Sequence, residues 1–257
     1  MENRMYEDRQ EREDLIEGRN AVLEALRAGR TIDKIYLAKG DVDKTLGHIA
    51  SKARDQGAVV VETDRRKLDA MSVTHVHQGV IAVAAVREYV SVEDILALAA
   101  ERGEDPLIIV CDEIEDPHNL GAIIRTAECA GVHGIILPKR RSAGLNATVG
   151  KASAGAVEHM RIARVPNLGA AIDELKQRGL WVCGTDAGGS SELWQSDLTG
   201  PLCLVVGSEG RGMGRLVGEK CDYTVRIPMR GQVNSLNASN AAAVMIYEVM
   251  RQRAGKK

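Results

Sequence analysis

A chain of 257 residues, 44% hydrophobic and 27% charged, has room for one large globular domain or two ordinary ones. Its 34 Lys and Arg stand against 36 Asp and Glu, so no global basic field is available to hold nucleic acid, and an RNA partner would need local patches. Phenylalanine is absent and aromatics make up 3%, which excludes stacking on exposed rings as a main device.

No apolar run reaches the ~18 residues a membrane span needs, and the charged start lacks the apolar stretch of a signal peptide, so the expected location is the cytoplasm. Cys111, Cys129, Cys183, Cys203 and Cys221 form no Cys-x-x-Cys pair and lie mostly in apolar runs. They read as small buried thiols rather than disulfides or metal ligands.

In chain order, residues 1–12 read as a charged tail. Leu15, Ile16, Ala21, Val22, Ala25 and Leu26 recur near helical spacing, and Gly29 stands where that helix would end. A strand is expected over Ile32–Ala38, a helix over Val42–Gln56 and a short buried strand over Ala58–Glu62. Asp64 caps a small helix, and an apolar strand follows over Gly79–Val86. These elements make a compact α/β unit over residues 13–90. Residues 91–104 form a linker, helical over Val92–Arg102 and broken at Gly103-Glu-Asp-Pro106.

From residue 105 the rhythm is strand, helix, strand, helix. Strands are expected over Leu107–Cys111, Gly134–Leu137, Arg161–Val165, Leu180–Gly184, Leu202–Val206 and Tyr223–Ile227. They are short and apolar on both faces, as strands covered by helices must be. Helices are expected over Asn119–Ala130, Thr148–His159, Asn167–Arg178 and Asn237–Arg253. The alternation predicts a parallel sheet with helices on both sides. The last helix is apolar on most of its circumference, so it needs cover on more than one side.

Three loops follow strands of this sheet, where ligand sites of parallel α/β proteins gather. After Leu107–Cys111, Asn119 opens a helix that carries Arg125 six residues later; spacing alone makes Arg125 a solvated helix residue. After Leu202–Val206 comes Gly207-Ser-Glu-Gly-Arg-Gly-Met-Gly214. Its four glycines permit close backbone approach to a ligand, and Glu209 disfavours an anion beside it. The pattern fits neither a dinucleotide nor a triphosphate cradle. The third loop, Pro228 to Ser235, is dense in amides and hydroxyls and leads to the caps Asn237 and Ser239.

Asn119-x-Gly121-x-x-x-Arg125, Gly207-Ser-Glu-Gly210, Ile227-Pro-Met229 and Asn234-Ser-Leu-Asn-Ala-Ser-x-Ala241 resemble, in order and spacing, the three motifs of SPOUT-class (TrmH-type) RNA ribose 2′-O-methyltransferases. Gly18-Arg-Asn-Ala-Val-Leu-Glu-Ala25 and His77-Gln-Gly79 are similar to that family's accessory RNA-binding domain, which is ribosomal-protein-like. The resemblance implies a SPOUT methyltransferase domain over 105–257 with a trefoil knot, a rare exception to unknotted chains. It implies bent S-adenosylmethionine held around Gly207, Ser208, Gly210, Ile227, Met229 and Leu236. The catalytic group would be Asn119, Arg125, Glu209, Ser235 and Asn237, completed in a homodimer with sites at its interface. The acceptor would be a guanosine of 23S ribosomal RNA. A transfer-RNA enzyme of the same chemistry and a non-catalytic ribosome-assembly protein are the rivals.

The residue types suit that chemistry. A ribose hydroxyl must lose or share its proton to become a nucleophile, while a sulfonium already supplies the electrophile. Arginine almost never deprotonates, so Arg125 is read as stabilising a developing oxyanion. Two other features carry less. His75 and His77 would share a strand face but have no further ligands for a metal. The basic clusters Arg65-Arg-Lys67 and Lys139-Arg-Arg141 are solvated loops by default, the second a candidate phosphate contact because it follows a strand end.

Overall fold

The computed structural model describes residues 14–40 and 43–255, so the charged tail expected over 1–12 and the helix start expected at Val42 lie outside the described residues. The chain divides into two compact units. One comprises Met1–Glu88 with Gly144–Gly150, the other Tyr89–Ala143 with Lys151–Lys257.

The first unit runs β1 (Leu15–Glu17), α1 (Arg19–Arg27), β2 (Ile32–Ala38), α2 (Lys44–Asp55), β3 (Val59–Thr63), α3 (Arg65–Met71) and β4 (Val80–Ala84). Its sheet has the order β1-β4-β2-β3, with β2 and β3 parallel and the other pairs antiparallel. Val22, Leu26, Ile35, Ile49, Val80 and Ala82 fill its main core. Leu15 and Ile16 are not helical as their spacing suggested. They pair with Val83 and Ala82 in β1, and Gly18 at φ 89° separates that strand from α1. Asp64 caps α3 as expected, accepting the Lys67 amide at 2.8 Å. His75 and His77 do not share a strand face. His75 is exposed at φ 57°, whereas His77 is buried between Asp69 at 2.9 Å and the Gly79 amide at 3.0 Å. Gly144–Gly150 is held in this unit by the Val86 amide, which donates to Leu145, and by Asp14, which accepts from Ala147.

The second unit opens with α4 (Val92–Arg102). Ser91 and Asp94 form a reciprocal capping box at its start. Val92 and Ile95 lie in the unit's core, so the expected linker helix is a packed element. Then come β5 (Leu107–Cys111), α5 (Pro117–Cys129), β6 (Gly134–Pro138), α6 (Ala147–Ala152, whose residues up to Gly150 belong to the first unit), β7 (Ile162–Val165), α7 (Leu168–Gln177), β8 (Trp181–Thr185), β9 (Ser191–Glu192), β10 (Leu202–Val206), α8 (Arg215–Gly218), β11 (Tyr223–Arg226) and α9 (Ala238–Ala254). The seven strands lie in the order β7-β6-β5-β10-β8-β11-β9, and every neighbouring pair is parallel. All five residues of β5 and of β10 are buried, as central strands covered on both faces require.

The helix expected over Thr148–His159 is shorter. It stops at Ala152, because Ala154 and Gly155 turn left-handed at φ 50° and 84° before a single 3-10 turn. The short β9 and α8 were not expected; neither is long enough to show periodicity. Cys111, Cys183 and Cys203 are buried, and burial pushes the Cys111 and Cys183 thiols up to about 12. Cys129 is exposed instead. Among the described residues no helix is long and apolar enough to cross a membrane.

Gly121, inside α5, lets that helix press on the end of α6. A Cβ there would lie 2.4 Å from the Ala152 Cβ and 2.9 Å from the Ser153 nitrogen. Helix propensity alone would make Gly121→Ala stabilising by about 1 kcal/mol. We expect overpacking to reverse the sign, with urea melts showing a loss of about 1–3 kcal/mol.

At the amino end of the sheet His133 is buried. Its Nδ1 accepts the Leu107 amide at 3.0 Å and its Nε2 meets Glu104 at 3.0 Å. Burial holds the imidazole below its ordinary range, against the pull of Glu104. A depressed histidine contributes stability that is present above the unfolded value of about 6.5 and is lost as the pH falls from there through the folded value. Wild-type stability should therefore fall below pH ~6.5, and His133→Gln should remove that part of the slope in urea melts at stepped pH.

Candidate active site

Because every strand of the large sheet runs the same way, the loops after β5, β8, β10 and β11 emerge at one edge. Asp116 caps α5 by accepting the His118 amide at 3.0 Å, and Pro117 occupies the first helical position. The helix thus starts two residues before Asn119, and Asn119 sits in its first turn.

The loop after β10 is a tight hairpin in which Ser208 and Gly212 exchange backbone hydrogen bonds of 3.0 and 2.9 Å. Gly207 must be glycine, since a Cβ would lie 2.2 Å from the Gly212 carbonyl carbon and 2.3 Å from the Met213 nitrogen. Asp112 anchors the far side of this loop. Its amide donates to Val206 at 2.8 Å and its carboxylate accepts the Gly214 amide at 2.7 Å. Burial raises its pKa, opposed by that hydrogen bond. The only sequence signal for Asp112 was an acid directly after an apolar strand.

The hairpin presents Glu209 to two asparagines. Glu209 Oε1 accepts from Asn119 Nδ2 at 3.1 Å and from Asn237 Nδ2, and Asn237 Nδ2 also donates to Asn119 Oδ1 at 2.9 Å. Asn237 Oδ1 is engaged in capping α9, accepting from the amides of Ser239 at 2.9 Å and Asn240 at 3.3 Å. The cap therefore fixes which end of the amide faces Glu209.

Two cavities meet at this group. The larger, of 710 Å³, is lined by Gly207, Ser208, Gly210, Ile227, Met229 and Leu236, and by Ser235. Its walls combine a glycine-rich backbone loop with apolar side chains, a donor set that suits an adenine ring and its ribose better than a phosphate chain. Thr185, Asp186, Glu192 and Arg226 also line it. Sequence reasoning missed these four, because they sit beside β8, β9 and β11 in no motif. The smaller cavity, of 220 Å³, lies among Glu113, Glu115, Asp116 and Asn119, and shares Ser208, Glu209, Arg211 and Ala238 with the larger.

Asn119, Glu209 and Asn237 are thus brought together, and Ser235 lies on the cavity wall with no hydrogen-bond partner among the described residues. Arg125 lines neither cavity. It is six residues from Asn119, about 120° around the helix, and is exposed without a hydrogen bond or ion pair among the described residues. Arg141 pairs with Glu113 at 2.7 Å and is 73% exposed, so the ion pair is weak and the guanidinium stays accessible. Among the described residues no group of three or more His, Cys, Asp or Glu is placed to hold a metal.

Two family profiles match the chain: SpoU rRNA Methylase over residues 106–247, and RNA 2′-O ribose methyltransferase substrate binding over residues 15–90. YacO of Bacillus subtilis, provisionally assigned as a TrmH family tRNA/rRNA methyltransferase, is 48% identical over 240 residues, 93% of this chain and 96% of its own. The SpoU methyltransferase AviRb from Streptomyces viridochromogenes, solved in complex with AdoMet, superposes with a TM-score of 0.61 at 27% identity, covering 94% of this chain and 90% of its own. The AdoMet-bound rRNA methyltransferase from Sinorhizobium meliloti has a TM-score of 0.58 at 26% identity, over 92% of this chain and 86% of its own.

With S-adenosylmethionine as the cofactor, the hairpin at Gly207 becomes the point at which binding is most easily broken. Gly207→Ala should weaken cofactor affinity by at least ~10-fold in calorimetry, because the hairpin must open to admit the methyl group. Unchanged affinity would mean the hairpin does not hold the cofactor.

Proposed function

The chain belongs to the SpoU rRNA methylase family, and we propose that it transfers the methyl group of S-adenosylmethionine to the ribose 2′-hydroxyl of a guanosine in 23S ribosomal RNA. The observation that carries this reading is the Asn119–Glu209–Asn237 group, whose Glu209 lies on the wall shared by two cavities, one suited to the cofactor and one open beside it. Ribose as the acceptor is supported by the substrate-binding profile over residues 15–90. Ribosomal RNA is supported by the S. meliloti rRNA methyltransferase, whose likeness spans 92% of this chain and hence both units. Residues 13–90 then select the RNA and residues 105–257 carry the reaction, in the cytoplasm.

Bound cofactor supplies a methyl group made electrophilic by its sulfonium. The backbone around Gly207, Ile227 and Leu236 holds the adenosine, with Ser208, Gly210 and Met229 beside it. Glu209 holds the amides of Asn119 and Asn237 in place, and with Ser235 they orient the acceptor ribose. Arg125 stabilises the oxyanion that develops on the 2′-oxygen.

Arg125 has no hydrogen bond or ion pair among the described residues, which supports a homodimer in which it serves the site of a second copy. A face of α9 gives further support. Ala243, Val244 and Met250 are only half-buried there and Tyr247 is 51% exposed, leaving the second apolar side without cover. The trefoil knot belongs to the same reading; β10, late in the chain, lies between β5 and β8.

Arg125→Ala should leave the melting temperature and cofactor affinity nearly intact and lower methyl transfer to 23S ribosomal RNA by at least ~10²-fold. Arg125→Lys should restore little, since a point charge lacks the planar fork. Mixing the Arg125→Ala and Glu209→Ala chains should restore activity if the two residues act across copies. Near wild-type turnover of Arg125→Ala at saturating RNA and cofactor would overturn its role. Mapping the methylated nucleotide on both ribosomal and transfer RNA separates the two substrates.

A further inference from the structure

The 220 Å³ cavity beside the cofactor site holds four carboxylates on its wall, and three of them are already engaged. Glu209 Oε1 holds the two asparagines. Asp116 caps α5. Glu113 is paired with Arg141 at 2.7 Å and with Arg211 at 3.8 Å. Glu115 is exposed and makes no hydrogen bond or ion pair among the described residues. Among the described residues, its carboxylate is the one on this wall with neither oxygen in a hydrogen bond or ion pair, whereas Glu209 and Asp116 each commit one oxygen and Glu113 both.

The cavity's chemistry restricts what can enter. Four acids against one lining arginine, Arg211, leave the wall net negative, which disfavours a phosphate and favours a neutral, donor-bearing group. At ~30 Å³ per water, the volume is that of about seven waters, room for one nucleobase and not for a base pair. Sharing Ser208, Glu209, Arg211 and Ala238 with the cofactor cavity, it places such a base next to the group that orients the ribose. Enzymes that act on a nucleotide within structured RNA read the unstacked base on its Watson–Crick edge.

We infer that this cavity receives the base of the nucleotide being methylated, and that Glu115 selects guanine by accepting N1–H and the exocyclic N2 amine together. Two adjacent donors on the Watson–Crick edge distinguish guanine from the other three bases. Adenine and cytosine each set an acceptor beside their amine, and uracil flanks its single imino donor with two carbonyls. A carboxylate matches the guanine edge with two parallel bonds and leaves the others one bond and a repulsion. The inference rests on the proposed ribose methylation of a guanosine and adds to it the residue that reads the base.

The test uses the full chain with transcripts of 23S ribosomal RNA that span the methylated nucleotide. One carries guanosine at the mapped nucleotide and the other carries inosine, which lacks the N2 amine. Wild type should prefer guanosine by about 10-fold in kcat/KM, the scale of one bidentate contact. Glu115→Gln should slow transfer to guanosine by about 10- to 100-fold and shrink the preference over inosine toward unity. Its melting temperature and its calorimetric affinity for S-adenosylmethionine should match wild type. A Glu115→Gln chain that keeps the wild-type rate and the wild-type preference overturns the inference and leaves the proposed function standing. A wild type that methylates the ribose of another base overturns the guanine assignment. A wild type that methylates no ribose overturns the proposed function together with the inference.

Discussion

One carboxylate oxygen, Glu209 Oε1, collects amide donors from residues 90 positions before it and 28 positions after it. Each is an exposed, charge-assisted hydrogen bond, worth on the order of 1 kcal/mol where water competes. Their importance is geometric. Asn119 is fixed by the helix that Asp116 caps, and Asn237 by the helix that it caps itself. Glu209 locks these two rigid bodies to a hairpin that glycine alone allows. A polar group assembled this way is ordered before any ligand arrives, so binding need not supply that ordering.

Behind the exposed group lies a second set of bonds that water does not weaken. Asp112 is 6% exposed and ties the loop after β5 to both ends of the β10 hairpin, at Val206 and Gly214. Arg253 does similar work at the other end of the sheet, donating to the carbonyls of Asp105, Pro106 and Gly200 and so pinning the end of α9 to the starts of β5 and β10. Between these anchors, β5 and β10 pair in parallel over five residues with both faces buried. The site therefore stands on a buried part of the second unit, while Met229, Gly231, Asn234, Ser235 and Leu236, which line the larger cavity, are exposed.

That exposure has a counterpart on α5 and α9. Arg125 projects from α5 with no hydrogen bond or ion pair among the described residues, and α9 leaves Tyr247 and neighbouring apolar side chains half in water. An apolar helix face beside an incomplete polar site is what a symmetric association would use, burying the first and completing the second in one contact. The small cavity lined by Glu113, Glu115 and Asp116 adds the opposite character, a pocket whose acids outnumber its one lining arginine, Arg211, and so disfavour a phosphate. Backbone and base of an RNA acceptor would so be separated by charge before any specific bond forms.

Much of this was legible in the residues alone. The apolar runs at Leu107, Gly134 and Leu202 are too short for helices and too continuous for half-exposed strands, so a buried parallel sheet followed from the pattern, and with it the edge at which the loops gather; the strand at Tyr223 is only half-buried. The resemblance to the methyltransferase motifs, rather than spacing, singled out Asn119, Glu209 and Asn237, which the structure joins, and Arg125 and Ser235, which it leaves outside that hydrogen-bonded group. Leu15 and Ile16 were misread because two apolar residues before a helix carry no period of their own; only pairing with Val83 and Ala82 made them a strand. The short β9 and the cavity residues Asp186, Glu192 and Arg226 left no sequence signal, since their partners lie far along the chain. Asp112 and Glu115 show the division most plainly. Both are acids in one loop of five residues, yet one is buried against Gly214 and the other is left open on a cavity wall. Local composition determines that a residue is acidic and where its strand ends. Only the long-range packing of the β10 hairpin onto that loop decides which acid loses its water, and so which one braces the fold and which one is left to meet a ligand.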